Sequence, residues 1–442
     1  MSKRNQWASS LGFLLATAGA AVGLGNLWKF PYLMGRNGGF AFLVAYLVFI
    51  LVLGLPVMVT EMSIGRMTQK NPIGAYREIS KRATFIGVLG VVSAFIILSY
   101  YSVIGGWLLK YIASYLTTWK APAHFAEYIA SPIEPIVWHL VFMAATALIC
   151  YLGTRGIEKA SKFMMPALLV LLLVVLVRSL TLPGAGEGLS FMFVPRLSAF
   201  TADSVVAALG QVFYSLSLGM GITLTYGSYL NKQENIPRNC AKVAGLDTLI
   251  ALLAGMAIFP AVFSFGQEPA QGPGLVFDTL PKVFGAMQAG TIFAILFFIL
   301  MFFAAITSSI ALLECVVSFA VDTLHWNRRK AVGIIGTAAF LLGIPSALSF
   351  GPLQDWKILN YSFFDLVGMI TDNLLLPLGG ILMCIYIGWV WGPGKVIMEI
   401  EEGGVSFRLK KAWIWCIRLI TPLLIAVVMV MGLIHVGQVI AG

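Results

Sequence analysis

The sequence predicts an all-α integral membrane protein of about eleven transmembrane helices, and three observations carry that prediction. Of its 442 residues, 59% are hydrophobic and only 11% are charged, whereas soluble domains are about 45–50% apolar and about 25% charged. The mean hydropathy is +0.90, so the chain has more apolar surface than one water-solvated core could hide. Apolar runs of membrane-crossing length recur along the whole chain, with basic residues grouped between alternate pairs of runs. Disorder, collagen-like structure and an ordinary cytosolic enzyme are excluded.

A helix crosses the hydrocarbon core with about 20 apolar residues. Taken in order, span 8–34 follows Lys3 and Arg4. Spans 40–64 and 85–113 are separated by Arg66, Lys70, Arg77, Lys81 and Arg82, and spans 136–153 and 163–182 by Arg155, Lys159 and Lys162. Lys232, Arg238 and Lys242 lie between 203–230 and 243–265, and Arg328, Arg329 and Lys330 between 290–319 and 331–350. Lys395, Arg408, Lys410 and Lys411 lie between 358–391 and 412–440. The alternating ten-residue segments of a β-barrel are missing.

With a cytoplasmic N-terminus, these linkers place 20 Lys and Arg inside against eight outside, with Arg418 within the last span. That asymmetry orients the bundle and puts the C-terminus outside the cell. It also accounts for the net charge of +10 without a nucleic-acid partner. A leader peptide cleaved after Ala18 or Ala20 would remove the most unusual segment of the chain, so the first span reads as a retained helix. The five cysteines are scattered and the four histidines isolated, which points to neither a disulfide framework nor a histidine–cysteine metal site.

Two spans are interrupted in corresponding places. The first carries Gly19, Gly23, Gly25, a polar Asn26 and Pro31, and the sixth carries Ser215, Ser217 and the Gly219-Met220-Gly221 triplet. Paired glycines allow a helix to unwind, although small residues also serve close helix packing. Unwinding in lipid leaves backbone groups that only protein, ions or a cavity can satisfy. The two breaks open two five-span halves, 8–182 and 203–391, with 412–440 as an additional span. Breaks in corresponding positions of two halves mark the midplane site of a transporter. Freed helix N-termini suit a carboxylate, and freed carbonyls suit a small hard cation.

At these residues the chain resembles the neurotransmitter:sodium symporter family. The shared motifs are Ala18-Gly-Ala-Ala-Val-Gly-Leu-Gly-Asn-Leu-Trp28, Phe30-Pro-Tyr32 with Asn37-Gly-Gly39, and Gly54-Leu-Pro56 with Glu61 and Gly65-Arg66. Tyr100-Tyr101, Ser215-Leu-Ser-Leu-Gly219, Gly272-Pro-Gly-Leu-Val-Phe277 with Thr279-Leu-Pro281, and Thr307-Ser-Ser309 follow in order. The resemblance covers nearly the whole chain, 1–442, as a single transporter domain. It implies a 5+5 inverted repeat with broken first and sixth helices, and eleven spans resemble some bacterial members.

The resemblance implies two co-transported Na+ ions. The first would be held by the Ala21 carbonyl, the Asn26 and Asp247 side chains, Ser215 and the substrate carboxylate. The second would be held by the Gly19, Val22 and Ala304 carbonyls with the Thr307 and Ser308 hydroxyls. Hydroxyls in a membrane helix otherwise bond back to their own carbonyls. The substrate carboxylate would meet the Leu24 and Gly25 amides and Tyr101, and its ammonium the carbonyls around Ala21, Tyr214 and Ser217. Ile97, Phe213, Tyr214, Ser217, Met220 and Leu312 match side-chain-pocket positions, with room left by Gly23 and Gly25. Methionine is ordinary core filler, yet at Met220 it would repack around varied apolar ligands.

Charged residues within spans are costly and mark function. Glu61 and Gln211 match positions that support the helix breaks and their surroundings, whereas Glu314 has no assigned role. Chloride-dependent members bind the anion near positions matching Tyr46, Gln211, Ser215 and a serine that is here Ala251. Asp247 stands where relatives commonly have asparagine and supplies a fixed negative charge, so no chloride requirement is expected. The outer gate also departs from the family pattern. Lys29 replaces an arginine and Gly368 occupies the usual acid position, leaving Asp365 and Asp372 a helical turn to either side. Arg4 and Asp322 match the inner gate, with Trp7 beside them.

The expected function is sodium-coupled import of neutral aliphatic or aromatic L-amino acids across the inner (plasma) membrane by alternating access. The expected partners are that substrate and the bilayer, with neither an obligate protein partner nor enzymatic chemistry. The alternative is the same fold carrying glycine, an amine or another small organic solute, with Asp372 as the discriminating residue.

Overall fold

The computed structural model describes residues 6–122, 124–270, 272–402 and 404–441. Helices α1 (Ser10–Ala21) and α2 (Gly25–Arg36) meet at 57° and form the first span. They are followed by α3 (Phe40–Thr68), the short α4 (Pro72–Ile79) and α5 (Lys81–Thr118). Next come α6 (Phe125–Ala130), α7 (Glu134–Tyr151), α8 (Gly153–Leu180) and α9 (Ala185–Phe193). The sixth span is α10 (Ala202–Ser215) and α11 (Ile222–Gly227), and α12 (Ile236–Ser264) follows. A short helix, α13 (272–286), precedes α14 (Gly290–Asp322) and α15 (Arg328–Leu348). The chain ends with α16 (Phe363–Trp391), α17 (Gly394–Glu401) and α18 (Lys410–Ile440).

Among the described residues, nine helices are continuous and apolar enough to cross a membrane, and the bent α1–α2 pair makes a tenth. The eleventh expected span is the sixth, whose halves are each too short to qualify because residues 216–221 leave the helix. The chain is an all-helical, multi-pass membrane protein.

Polar side chains set where several helices start. Ser9, Asn71, Asn235, Asn327 and Ser362 each accept a hydrogen bond from an amide of the first turn. Burial then sorts the spans. Two thirds of the apolar window of α12 and of α14 is buried, against 17% for α18, so α12 and α14 run through the middle and α18 lies at the edge.

Three spans start five or more residues away from the sequence reading. The fifth span begins at Gly153 rather than 163, because Arg155, Lys159 and Lys162 ride on the first turns of the helix. The tenth begins at Phe363 rather than 358. Residues 358–361 form a tight turn in which Ile358 and Tyr361 exchange backbone hydrogen bonds of 2.9 and 3.0 Å, and Leu359 and Asn360 take φ of 53° and 67°. The seventh starts at Ile236, where Pro237 fits the first turn.

The two ends of the bundle are packed differently. At the Lys29 end, Trp107, Phe125, Phe277, Phe350 and Phe364 form one aromatic cluster, and the Tyr111 hydroxyl donates 2.8 Å to the Phe277 carbonyl, fixing α13. At the opposite end Trp7 is buried against Tyr226 and Tyr229. Its indole donates to the Tyr226 carbonyl at 3.1 Å, which ties the start of the first span to the end of the sixth.

Candidate substrate and ion site

At both breaks several of the freed backbone groups find named partners, as a membrane interior demands. At the first, the Gly23 amide donates to Asn26 Oδ1 at 3.0 Å and the Leu24 amide to the Tyr101 hydroxyl at 3.4 Å. At the second, Ser217, Gly219 and Gly221 all take positive φ, of 52°, 76° and 70°. The Leu218 amide reaches back to the Phe213 carbonyl at 3.2 Å, and the Gly219 amide donates to Glu61 Oε1 at 3.2 Å. Glu61 also accepts from the Thr223 hydroxyl, so one buried carboxylate holds both sides of the second break. The two breaks touch, because Ser217 Oγ donates 3.0 Å to the Ala20 carbonyl.

Between them lies a small cavity of about 40 Å³. It is lined by Ala20, Ala21, Gly23, Leu24, Gly25 and Asn26 from the first break, and by Tyr214, Ser215, Ser217, Met220 and Ile222 from the second. Ile97 and Tyr101 of α5 and Ser308 and Leu312 of α14 close it. One end is therefore polar backbone and hydroxyl, the other Ile97, Met220, Ile222 and Leu312.

Of the residues expected to meet substrate, Phe213 is placed apart from the cavity. It lines the neighbouring vestibule instead, because α10 turns its ring toward Gly219 and Gly380. Ala20 and Ile222 also line the cavity, although neither was among the expected site residues; Ala20 lies within the first motif and Ile222 in none.

Two oxygen-rich clusters flank the cavity. In the first, the fully buried Asp247 accepts 2.8 Å bonds from Asn26 Nδ2 and from Ser215 Oγ, and a 3.5 Å bond from the Tyr46 hydroxyl. In the second, the Ser308 hydroxyl lies 3.2–3.4 Å from the carbonyls of Gly19, Ala20, Val22 and Ala304. One hydroxyl has a single proton for these four acceptors, so the cluster carries excess negative potential that a small hard cation would neutralise. Thr307 Oγ1 bonds the Phe303 and Ala304 carbonyls at 2.9 and 3.1 Å. Gly19 lets α1 come this close, since a Cβ there would sit 3.1 Å from Met165 Sδ and from Thr307 Cβ.

Gln211, expected to support the helix breaks, lies next to the first of them. Its amide is buried beside Gly25, and neither Nε2 nor Oε1 has a hydrogen-bond partner among the described residues.

A vestibule of about 720 Å³ opens above the cavity at the Lys29 end, sharing Leu24, Gly25, Tyr101 and Tyr214 with it. Lys29 makes no ion pair among the described residues, and its ammonium lies 5.4 Å from the centre of the Tyr214 ring. Both acids considered for the gate, Asp365 and Asp372, line this vestibule with Lys29. Asp365 accepts a 2.7 Å bond from Ser362 Oγ within the first turn of α16, and Ser362 caps the helix by accepting from the Asp365 amide at 3.1 Å. At the other end Asp322 accepts from the Asn71 amide at 3.1 Å, whereas Arg4 lies outside the described residues.

The sequence profile of the sodium:neurotransmitter symporter family matches residues 4–132 and 129–440. The chain belongs to that family. This symporter is 41% identical to the uncharacterized sodium-dependent transporter YhdH of Bacillus subtilis strain 168, over 96% of each chain. It is 36% identical to an uncharacterized sodium-dependent transporter of Haemophilus influenzae, over 98% of each. Its structure resembles the crystal structure of MhsT in complex with L-phenylalanine, with a TM-score of 0.89, 43% identity, and coverage of 97% of this chain and all of the other. The symporter is thus a sodium-coupled membrane transporter, and its unwound helices are the parts that face both clusters and the cavity.

Proposed function

We propose that the symporter imports neutral hydrophobic L-amino acids, aliphatic and aromatic, with two Na+ ions and without chloride. The cavity between the breaks carries this reading, because it joins a polar backbone end to an apolar end built from Ile97, Met220, Ile222 and Leu312. A zwitterion would place its carboxylate by the Leu24 and Gly25 amides and the Tyr101 hydroxyl, and its ammonium by the carbonyls around Ala21, Tyr214 and Ser217. One Na+ would bind between that carboxylate, the Ala21 carbonyl, Asn26, Ser215 and Asp247. The other would bind among the Gly19, Val22 and Ala304 carbonyls, Thr307 and Ser308. Sharing the carboxylate with an ion makes each ligand strengthen the binding of the other. MhsT, the structural relative, was crystallised with L-phenylalanine.

Asp247 supplies a fixed negative charge beside the first ion, with Ala251 in place of a hydroxyl-bearing residue, and this favours independence from chloride. The Lys29 end is assigned to the cell exterior and the Trp7 end to the cytoplasm of the plasma membrane, following the distribution of basic residues. The halves 8–182 and 203–391 would be the two inverted repeats, with Lys29 and Asp372 closing the outer side and Arg4 and Asp322 the inner. The test is uptake of radiolabelled L-phenylalanine into proteoliposomes, challenged in turn with each of the twenty amino acids. Competition by hydrophobic residues that requires sodium and survives replacement of chloride by gluconate is the expected result. Loss of uptake in gluconate overturns chloride independence, and failure of every hydrophobic competitor overturns the substrate class.

A further inference from the structure

The last turn of α3 carries Arg66, whose side chain is wholly buried. A buried guanidinium demands acceptors for its donors, and four converge on it from two other segments. Arg66 Nε donates to Glu399 Oε1 at 2.7 Å, Nη1 to the Glu234 and Lys232 carbonyls at 2.6 and 3.3 Å, and Nη2 to the Glu399 carbonyl. Lys232 Nζ then reaches Glu399 Oε2 at 2.7 Å and Glu402 Oε2 at 2.9 Å. Glu399 belongs to α17, the short helix between the tenth and eleventh spans, whose Val396 and Ile400 are buried beneath it.

Two of the three carbonyl acceptors, those of Lys232 and Glu234, lie in the linker 228–235, which joins α11 to α12 and gathers the remaining partners. Glu234 Oε2 accepts from Ser10 Oγ at 3.1 Å, at the start of α1, and from Asn239 Nδ2 at 2.9 Å, on the first turn of α12. Helices α3 and α11 press backbone to backbone, because a Cβ on Gly65 would collide with the Leu224 carbonyl and one on Gly227 with the Met62 carbonyl. The pair joining α14 and α15, Glu314 with Arg328, meets this linker at one point, where the Tyr229 hydroxyl donates to Glu314 Oε1 at 2.7 Å, a contact that motion of the broken helices against α14 and α15 would break. Among the helices α17 packs on α3.

We propose that Arg66 and Glu399 are positioning residues for transport. They bolt α17 onto the ends of α1, α3, α11 and α12, so that residues 394–401 travel with the broken helices as one body while α14 and α15 stay behind. The clamp makes the two broken spans answer together to ligands bound at their breaks, and it acts without touching substrate or ion. This inference rests on the alternating-access reading above.

Spin labels on Met398→Cys in α17, Lys70→Cys beyond α3 and Lys330→Cys in α15 test it, since the five native cysteines are buried. Distances are measured pairwise in the full chain without sodium, with sodium, and with sodium plus L-phenylalanine. The expected result is that Met398–Lys330 and Lys70–Lys330 change together while Met398–Lys70 stays fixed. A Met398–Lys330 distance that holds while Lys70–Lys330 changes overturns the clamp and leaves alternating access standing. No change in any pair removes both.

Glu399→Gln gives the second readout. At equal amounts of folded protein it should lower sodium-dependent uptake about tenfold and broaden the Met398–Lys70 distribution, with Glu399→Asp restoring part of each. An unaltered distribution and uptake in Glu399→Gln overturns the proposal. If that variant does not fold, the distances in the Glu399-bearing protein decide.

Discussion

Asp247 shows how one side chain can redefine a site. Its carboxylate is fully buried, and it is held by Asn26, Ser215 and Tyr46, three donors from three different helices. A buried carboxylate without a full counter-charge is costly, and a monovalent cation beside it removes that cost. Asp247→Asn keeps the shape and one acceptor oxygen but discards the charge. Sodium titrations of L-phenylalanine binding should then show sodium affinity reduced by about 10-fold or more, with little change in folded yield. Unchanged sodium affinity would remove Asp247 from the ion site. The residue type and its place within a span were legible in the sequence. Its partners were not, since Asn26 and Asp247 are 221 positions apart.

The gate residues teach the same lesson in reverse. Asp365 and Asp372 are equally plausible on a helical wheel around Gly368, and only the local fold separates them. The chain turns at 358–361, α16 starts at Phe363, and Asp365 is drawn into its first turn by Ser362. Asp372, two turns deeper, is free of that cap and lines the vestibule with Lys29.

Among the elements, the two broken spans were legible because glycine is conspicuous in an apolar helix, but the geometry of each break was not. In the sixth span, Ser217 shares the left-handed conformation with Gly219 and Gly221, and no sequence rule singles out a serine for it. It is held there by the bond to the Ala20 carbonyl. Gly221 is different, because a Cβ there would be strained by its φ of 70° and would sit 2.7 Å from Pro72 Cγ of α4. Gly221→Ala should therefore cost about 1–3 kcal/mol at the break, lowering uptake strongly while the helical circular-dichroism signal stays as it is. An alanine variant with full uptake would show that α4 yields and that the glycine serves packing alone. The missed elements, α4, α6, α9, α13 and α17, are short helices outside the hydrophobic runs. They owe their form to docking rather than to length, and hydropathy gives them little signal.

At the scale of the whole molecule, a wide vestibule at one end and a buried Trp7 contact at the other describe a transporter open toward the Lys29 side. If sodium and amino acid share the substrate carboxylate, they should stabilise the protein synergistically, because each raises the affinity for the other. Thermal unfolding in detergent should show a larger shift for sodium plus L-phenylalanine than the sum of the two separate shifts. Strictly additive shifts would mean the ion and the carboxylate do not meet.

The amino-acid order by itself determined that this is a helical membrane protein, how many times it crosses, and which two spans are interrupted. Hydropathy, basic-residue placement and glycine spacing are local quantities, and lipid enforces them one helix at a time. The tertiary structure decided which oxygens converge on Ser308, that Asp365 is drawn into the first turn of its helix, that Phe213 lines the vestibule, and that Arg66 is clasped by Glu399. All but the second of those depend on residues far apart in the chain, and their approach is set by glycine-permitted helix contacts and buried polar pairing rather than by any pattern along the sequence.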